Sequence, residues 1–292
     1  MSENSTSIVR NLKRINLISG KGGVGRTTLA ATFAKAAAAA GKKTLLAEIE
    51  DDSGWDSPLA RSFGRKNFTA EPTVIAKNLE AMVLSAPVGQ EQFLNMFLKI
   101  SSLTHLIMSN QGVKWFLDGA PAFKEMGYFY HLLLQMRKNY EVIVLDLPAT
   151  GHLIGLARLP NLLLKMIPFG PIAERLKEGQ KYMYDEKQSA AWIVTLPQTL
   201  PVSEAIELKK ALSAEKVPIG GFILNRDPLN PFTPEEEKSL FGNPEFERLR
   251  RAHDAKKRLN EEFPQHVWLA PETLNPIEDP QFGLKITNHE AH

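Results

Sequence analysis

The run from Ser19 to Thr28, Ser-Gly-Lys-Gly-Gly-Val-Gly-Arg-Thr-Thr, has the composition of a phosphate cradle. Gly20, Gly22, Gly23 and Gly25 let backbone N–H groups crowd around one anion, because glycine tolerates positive φ and close backbone approach. Lys21 and Val24 complete the loop. The positive end of the helix that follows adds to the attraction. From Gly20 to Thr27 the spacing fits the P-loop pattern G-x-x-x-x-G-K-[ST], with Arg26 in place of the lysine. A lysine there is a compact point charge. Arginine is longer, planar and forked, and it can grip phosphate with two hydrogen bonds. Binding of ATP or ADP therefore survives this exchange more readily than fast hydrolysis does. Thr27 supplies a hydroxyl of the kind that ligates Mg2+, and Thr28 continues the binding turn. Asp146 closes the apolar run Glu141-Val-Ile-Val-Leu-Asp146. A carboxylate so placed can hold the same ion, directly or through water. Aspartate also caps strand-to-helix turns, and both readings stand at this point. Asn225 ends a further apolar run, Ile219 to Asn225. Its amide could read the adenine edge with one donor and one acceptor, but Asn-Arg-Asp-Pro is also ordinary turn chemistry.

These residues need an ordered frame. Ile15 to Ser19 reads as a strand, and the helix after the loop extends to about Ala40, where Gly41 stops it. Strands are expected at Lys43–Ile49, Leu79–Leu84, Glu141–Asp146, Trp192–Leu196, Ile219–Asn225 and Val267–Leu269. An acidic loop, Glu50 to Pro58, follows the strand that ends at Ile49. Apolar residues at helical spacing fill Val88 to Lys138. Pro201–Ala214 and Pro244–Phe263 read as helices. Strands alternating with helices predict an α/β fold with a doubly wound, mostly parallel sheet. Its ligand belongs at the carboxyl ends of the strands. Residues 1–9 read as a flexible tail, 10–292 as a single domain, and about 88–138 as a helical subdomain within it.

Composition narrows the function. With 43% hydrophobic residues, the 292-residue chain can bury a sizeable core. A formal net charge of +2 gives no cause to expect nucleic acid. The basic stretches at Arg248–Arg251 and Lys256–Arg258 are diluted by acidic neighbours and read as a solvated helix face. The absence of cysteine excludes disulfides, thiolate metal sites and a thiol nucleophile. Met1 to Thr6 lacks the apolar core of a signal peptide, and no apolar run reaches the ~20 residues of a membrane span. A cytoplasmic protein without an integral membrane segment is the expectation.

Four stretches carry a family likeness. They are Gly20-Lys-Gly-Gly-Val-Gly-Arg-Thr-Thr28, Asp146-Leu-Pro-Ala-Thr-Gly-His152 with its continuation to Pro160, Val194 to Glu204, and Ile223-Leu-Asn-Arg226. Together they resemble the arsenite-pump ATPase (ArsA-like) family, which includes targeting factors for tail-anchored membrane proteins. The likeness extends from about residue 14 to about 270. It implies a SIMIBI-type P-loop NTPase with a deviant Walker A loop that binds ATP at a two-fold dimer interface. In such a dimer Lys21 reaches the partner's phosphates, and Asp146 opens switch II. A homodimer and a heterodimer with a homologous ATPase are both compatible. The family's catalytic aspartate falls near Asp56 or Ser57; Asp56 is the candidate, and an alignment on Ser57 would leave that carboxylate missing. Cysteine-based zinc and metalloid sites cannot exist here. Met96, Met108, Met126 and Met136, with neighbouring aromatic residues, form either plain core or a groove for a client protein. The leading expectation is a slowly hydrolysing dimeric switch. Its rivals are a non-catalytic nucleotide-binding subunit of a heterodimer and a ParA- or MinD-like positioning ATPase.

Overall fold

The computed structural model describes residues 7–50, 56–98, 121–147, 150–166, 168–228, 243–274, 276–279 and 281–288. Among them, nine strands form one sheet in the order β3-β4-β2-β5-β1-β6-β7-β8-β9. The strands are β1 (Ile15–Gly20), β2 (Thr44–Ile49), β3 (Thr73–Ala76), β4 (Leu79–Leu84), β5 (Val142–Asp146), β6 (Ser189–Thr195), β7 (Ile219–Asp227), β8 (Val267–Pro271) and β9 (Thr287–Asn288). All neighbours run parallel except the edge pairs β3–β4 and β8–β9. The expected α/β architecture is therefore present, with short antiparallel strands added at both edges.

Every residue of β1, β5 and β6 is buried, and these strands are accordingly free of charge up to Asp146 at the end of β5. Alternation divides their side chains between two cores. On one face Leu46, Val144, Ile18 and Trp192 meet Leu29 and Phe33 of α1 (Arg26–Ala39). On the other, Leu45, Leu145, Leu17 and Ile193 meet the larger helical layer. That layer contains α3 (Ala86–Leu98), α4 (Pro121–Met136), α5 (Thr150–Met166), α6 (Pro171–Tyr184), α7 (Thr199–Ala214) and α8 (Pro244–Glu262). The short α2 (Pro58–Arg61) and α9 (Phe282–Lys285) lie on the α1 side.

Within the expected helical subdomain, α3 and α4 cross where Gly89 faces Gly127. A Cβ on Gly89 would lie 1.8 Å from the Gly127 carbonyl oxygen, so glycine is needed for this close approach. Phe93, Met126, Phe129 and Met136 are buried and belong to the core. Met108 and the Met96 side chain lie outside what the structure describes. Among the described residues, no helix is long and apolar enough to cross a membrane.

Of the residues expected as a tail, 7–9 are held against the rest of the fold. Ser7 bridges Thr287, and Ile8 and Val9 are buried at the start of a 3-10 turn, Ile8–Asn11. Their apolar side chains pack beneath α1 and beside Phe282, burying surface that a free tail would expose.

Candidate functional site

The site is built where β1, β2, β5 and β7 end beside the start of α1. Gly25 precedes α1 in the left-handed region at φ 93°, and no side chain caps the helix. The first-turn N–H groups are thus left to a ligand rather than to a cap. An added Cβ would meet nothing within 4 Å at Gly22 or Gly23, so this part of the loop borders open space. The opposite wall is tight. A Cβ on Gly25 would come within 2.2 Å of Asn225 Nδ2. Asn225 is buried and donates from Nδ2 to the Val24 carbonyl at 2.8 Å, while its Oδ1 accepts the Arg226 N–H at 3.0 Å. The amide nitrogen therefore braces the loop, while the oxygen closes on the next residue of β7.

Asp146 lies beside the first turn of α1. The Thr27 hydroxyl donates to its carboxylate. Its Oδ1 is buried and has no hydrogen-bond partner among the described residues. Burial pushes the acid's pKa up, opposed by the Thr27 hydrogen bond and the nearby Arg26 guanidinium. A buried carboxylate with an unsatisfied oxygen and an adjoining hydroxyl is a suitable donor set for a hard divalent cation. The residues present thus fit Mg2+, with Thr27 and Asp146 as its holders. Among the described residues, no group of three His, Cys, Asp or Glu could hold a metal by itself.

Arg26 donates to the Leu147 carbonyl, directly after Asp146. Burial lowers its pKa, and the Asp146 carboxylate counters that effect. The arginine therefore links the P-loop helix to the end of β5. Lys21 projects from the exposed side of the loop and pairs with Glu204 of α7 at 2.7 Å. Thr28 lies in the first turn of α1, and its carbonyl accepts from the Thr32 hydroxyl at 2.8 Å.

The structure does not bring Asp56 to this cluster. Its carboxylate pairs with Arg61 at 3.3 Å and Lys66 at 3.6 Å. The next residue, Ser57, is turned inward. Its Oγ lies 2.6 and 2.7 Å from the two oxygens of Glu48, a residue the sequence reading passes over. Burial lifts the Glu48 carboxyl to about 7; the Ser57 hydrogen bond lowers it, and neighbouring Asp146 raises it again. One signal was legible: a carboxylate stands near the carboxyl end of an otherwise apolar strand.

The sign of this shift makes a prediction. Glu48 is harder to ionise in the folded protein than at its ordinary value of 4.5. Its favourable contribution is complete below pH 4.5 and is lost as pH rises through about 7. In thermal scans of the ligand-free protein across that window, Glu48→Gln is expected to flatten the fall in melting temperature. An unchanged slope would contradict the assignment.

The sequence profile of the anion-transporting ATPases matches residues 13–169, more than half of the chain. The protein named ATPase BagA from Mycobacterium tuberculosis is 28% identical over 225 residues, covering 73% of this chain and 65% of that protein. The chain thus spans just under two thirds of the length of this mycobacterial relative. ATPase ASNA1 homolog 1 of Paramecium tetraurelia is 31% identical over 158 residues, covering 51% of this chain and 44% of that protein. ATPase ARSA2 of Chlamydomonas reinhardtii is 30% identical over 152 residues, covering 51% of this chain and 38% of that protein. With the profile match spanning β1, the P-loop, β5 and α5, the chain belongs to the ArsA-like family of anion-transporting ATPases.

Proposed function

We propose that the chain binds ATP or ADP with Mg2+ at the P-loop, hydrolyses ATP slowly, and works as a two-fold dimer whose nucleotide state controls binding of a partner protein. The observation that carries this reading is buried Asp146, bonded by Thr27 beside the uncapped start of α1, with Oδ1 unsatisfied. The ion-holding residues and the phosphate-facing helix end meet there. The relatives' names as ATPases point the same way.

Lys21 supports the dimeric part. Its side chain is 60% exposed, and its partner Glu204 lies on the same chain. An exposed pair of this kind contributes about 0–1 kcal/mol, so a triphosphate offered by a second copy can displace it. Nucleotide binding and closure then become one event.

The test is calorimetric titration with Mg-ATP and Mg-ADP, then sedimentation with a non-hydrolysable ATP analogue, alone and with a co-expressed homologue. Binding of either nucleotide, and association that Lys21→Ala weakens, are the expected results. No binding at millimolar nucleotide would defeat the reading; a monomer in every condition would defeat its dimeric part. The placement of Asp56 on surface cations favours one second reading, a nucleotide-binding subunit without turnover. Binding and dimerisation with no phosphate release would select it.

A further inference from the structure

Every residue of β2 is buried except Glu48, which is partly so. An ionised carboxylate in such a place is costly unless it is held and used. The register sets Glu48 directly beside Asp146 on the neighbouring strand β5. Alternation turns both toward α1, since Leu46 and Val144, two residues earlier in each strand, pack in the α1-side core. Glu48 therefore faces the side of the sheet that carries Thr27 and Asp146.

Its orientation is fixed from a second direction. The Ser57 hydroxyl accepts the Ala60 N–H at 2.9 Å, so its single proton is free to turn toward the two Glu48 oxygens. The Ser57 N–H is anchored in turn, on Asn67 Oδ1 at 3.0 Å and the Lys66 carbonyl at 3.2 Å. Ser57 is thus a fixed post at the start of α2, and Glu48 leans on it. Asp56, one residue earlier, points to Arg61 and Lys66 instead.

We propose that Glu48, positioned by Ser57, is the carboxylate that orients the attacking water in ATP hydrolysis. In this reading the carboxylate stands in β2 itself, and a serine of the following loop holds it. This rests on the reading of the P-loop as an ATP site. In the step, the water oxygen bonds to the γ-phosphorus while the bond from that phosphorus to the bridging oxygen breaks. The electron pair leaves on ADP, and the water proton hydrogen-bonded to Glu48 is released to solvent with the phosphate. Ser57 touches no reacting atom and acts only by holding Glu48.

The experiment compares the full chain with Glu48→Gln, Ser57→Ala and Ser57→Thr, measuring Mg-ATP binding by calorimetry and turnover by phosphate release. Glu48→Gln keeps the side-chain shape, and its undiminished ATP binding would show that the site is folded. Its phosphate release is expected to fall on the order of 10²-fold, the usual contribution of a well-placed carboxylate. Ser57→Ala is expected to lower kcat at unchanged KM, and Ser57→Thr, which retains the hydroxyl, to restore it. A purely structural role for Ser57 would lower the melting temperature without this split. Phosphate release by Glu48→Gln at the parent's rate would overturn the proposal. So would equal losses of magnesium-dependent ATP affinity and turnover, which would make Glu48 a metal ligand. So would loss of turnover on Asp56→Asn with Glu48→Gln active. A parent that binds ATP but releases no phosphate overturns the role of Glu48 and leaves the nucleotide site standing. A parent that binds no nucleotide shows instead that the ATP-site reading itself has failed.

Discussion

Gly25→Ala is expected to abolish ATP binding and to lower the melting temperature at the same time. The residue sits at φ 93°, and an added Cβ would lie 2.2 Å from Asn225 Nδ2. Left-handed backbone at a non-glycine residue costs about 1–2 kcal/mol. Displacing Asn225 also breaks its 2.8 Å bond to the Val24 carbonyl, which adds about 0.5–1.5 kcal/mol. For a chain of this size, a loss of that order corresponds to roughly 2–6 °C. The functional loss is larger, because the N–H groups that would face the phosphates depend on this one turn. Calorimetry with ATP and a thermal scan of the same preparation check both parts. A variant that binds ATP like the parent would show that the loop tolerates another geometry.

Asp146→Asn should separate stability from function. The folded protein raises the pKa of this acid, so ionised Asp146 costs stability, and the cost grows as pH climbs from the unfolded to the folded pKa. An amide removes the charge and retains a polar group for the Thr27 hydroxyl. The ligand-free variant is therefore expected to melt higher than the parent at neutral pH. Relief of a buried charge that Thr27 and Arg26 compensate only in part is worth about 1–3 kcal/mol. The same variant should lose the strengthening of ATP binding by Mg2+, because an amide oxygen is a poorer ligand for a hard cation. Melting curves with and without Mg-ATP make the comparison: the parent gains on ligand addition and the variant does not. A less stable ligand-free variant that still responds to magnesium would contradict both parts.

Much of the frame was legible because two signals coincided. The glycine spacing from Gly20 to Gly25 and the apolar runs ending at Asp146 and Asn225 each marked a strand end. A parallel sheet places such ends together. The helices α5 and α6 were not legible. Proline ordinarily disfavours a helix interior, yet Pro160 lies inside α5 and Pro171 opens α6. Packing overrode the local signal at Pro160, whereas Pro171 occupies the first turn, where its missing N–H costs nothing. Glu48 escaped notice for another reason. Its value depends on register with β5 and on the turn at Ser57, and neither relation is local in sequence. Asn225 was found as a strand-end amide, but only the contact with Val24 shows that it braces the loop.

The pairing of Ser7 with Thr287, reinforced by the Ile8 N–H on the Ile286 carbonyl at 3.0 Å, has a consequence for attachment. The chain enters β1 from Ile8–Asn11, and β9 runs antiparallel to β8 toward that strand's amino-terminal end. Entry and exit are therefore stitched together at the base of the sheet, whereas the P-loop opens at its crown. Ser7 and Asn288 thus share a common root beside the start of β8, at the opposite strand ends from the glycine-rich turn. A tether to a surface, or a covalent link between the two ends, could grip the protein there with the nucleotide mouth still pointing outward.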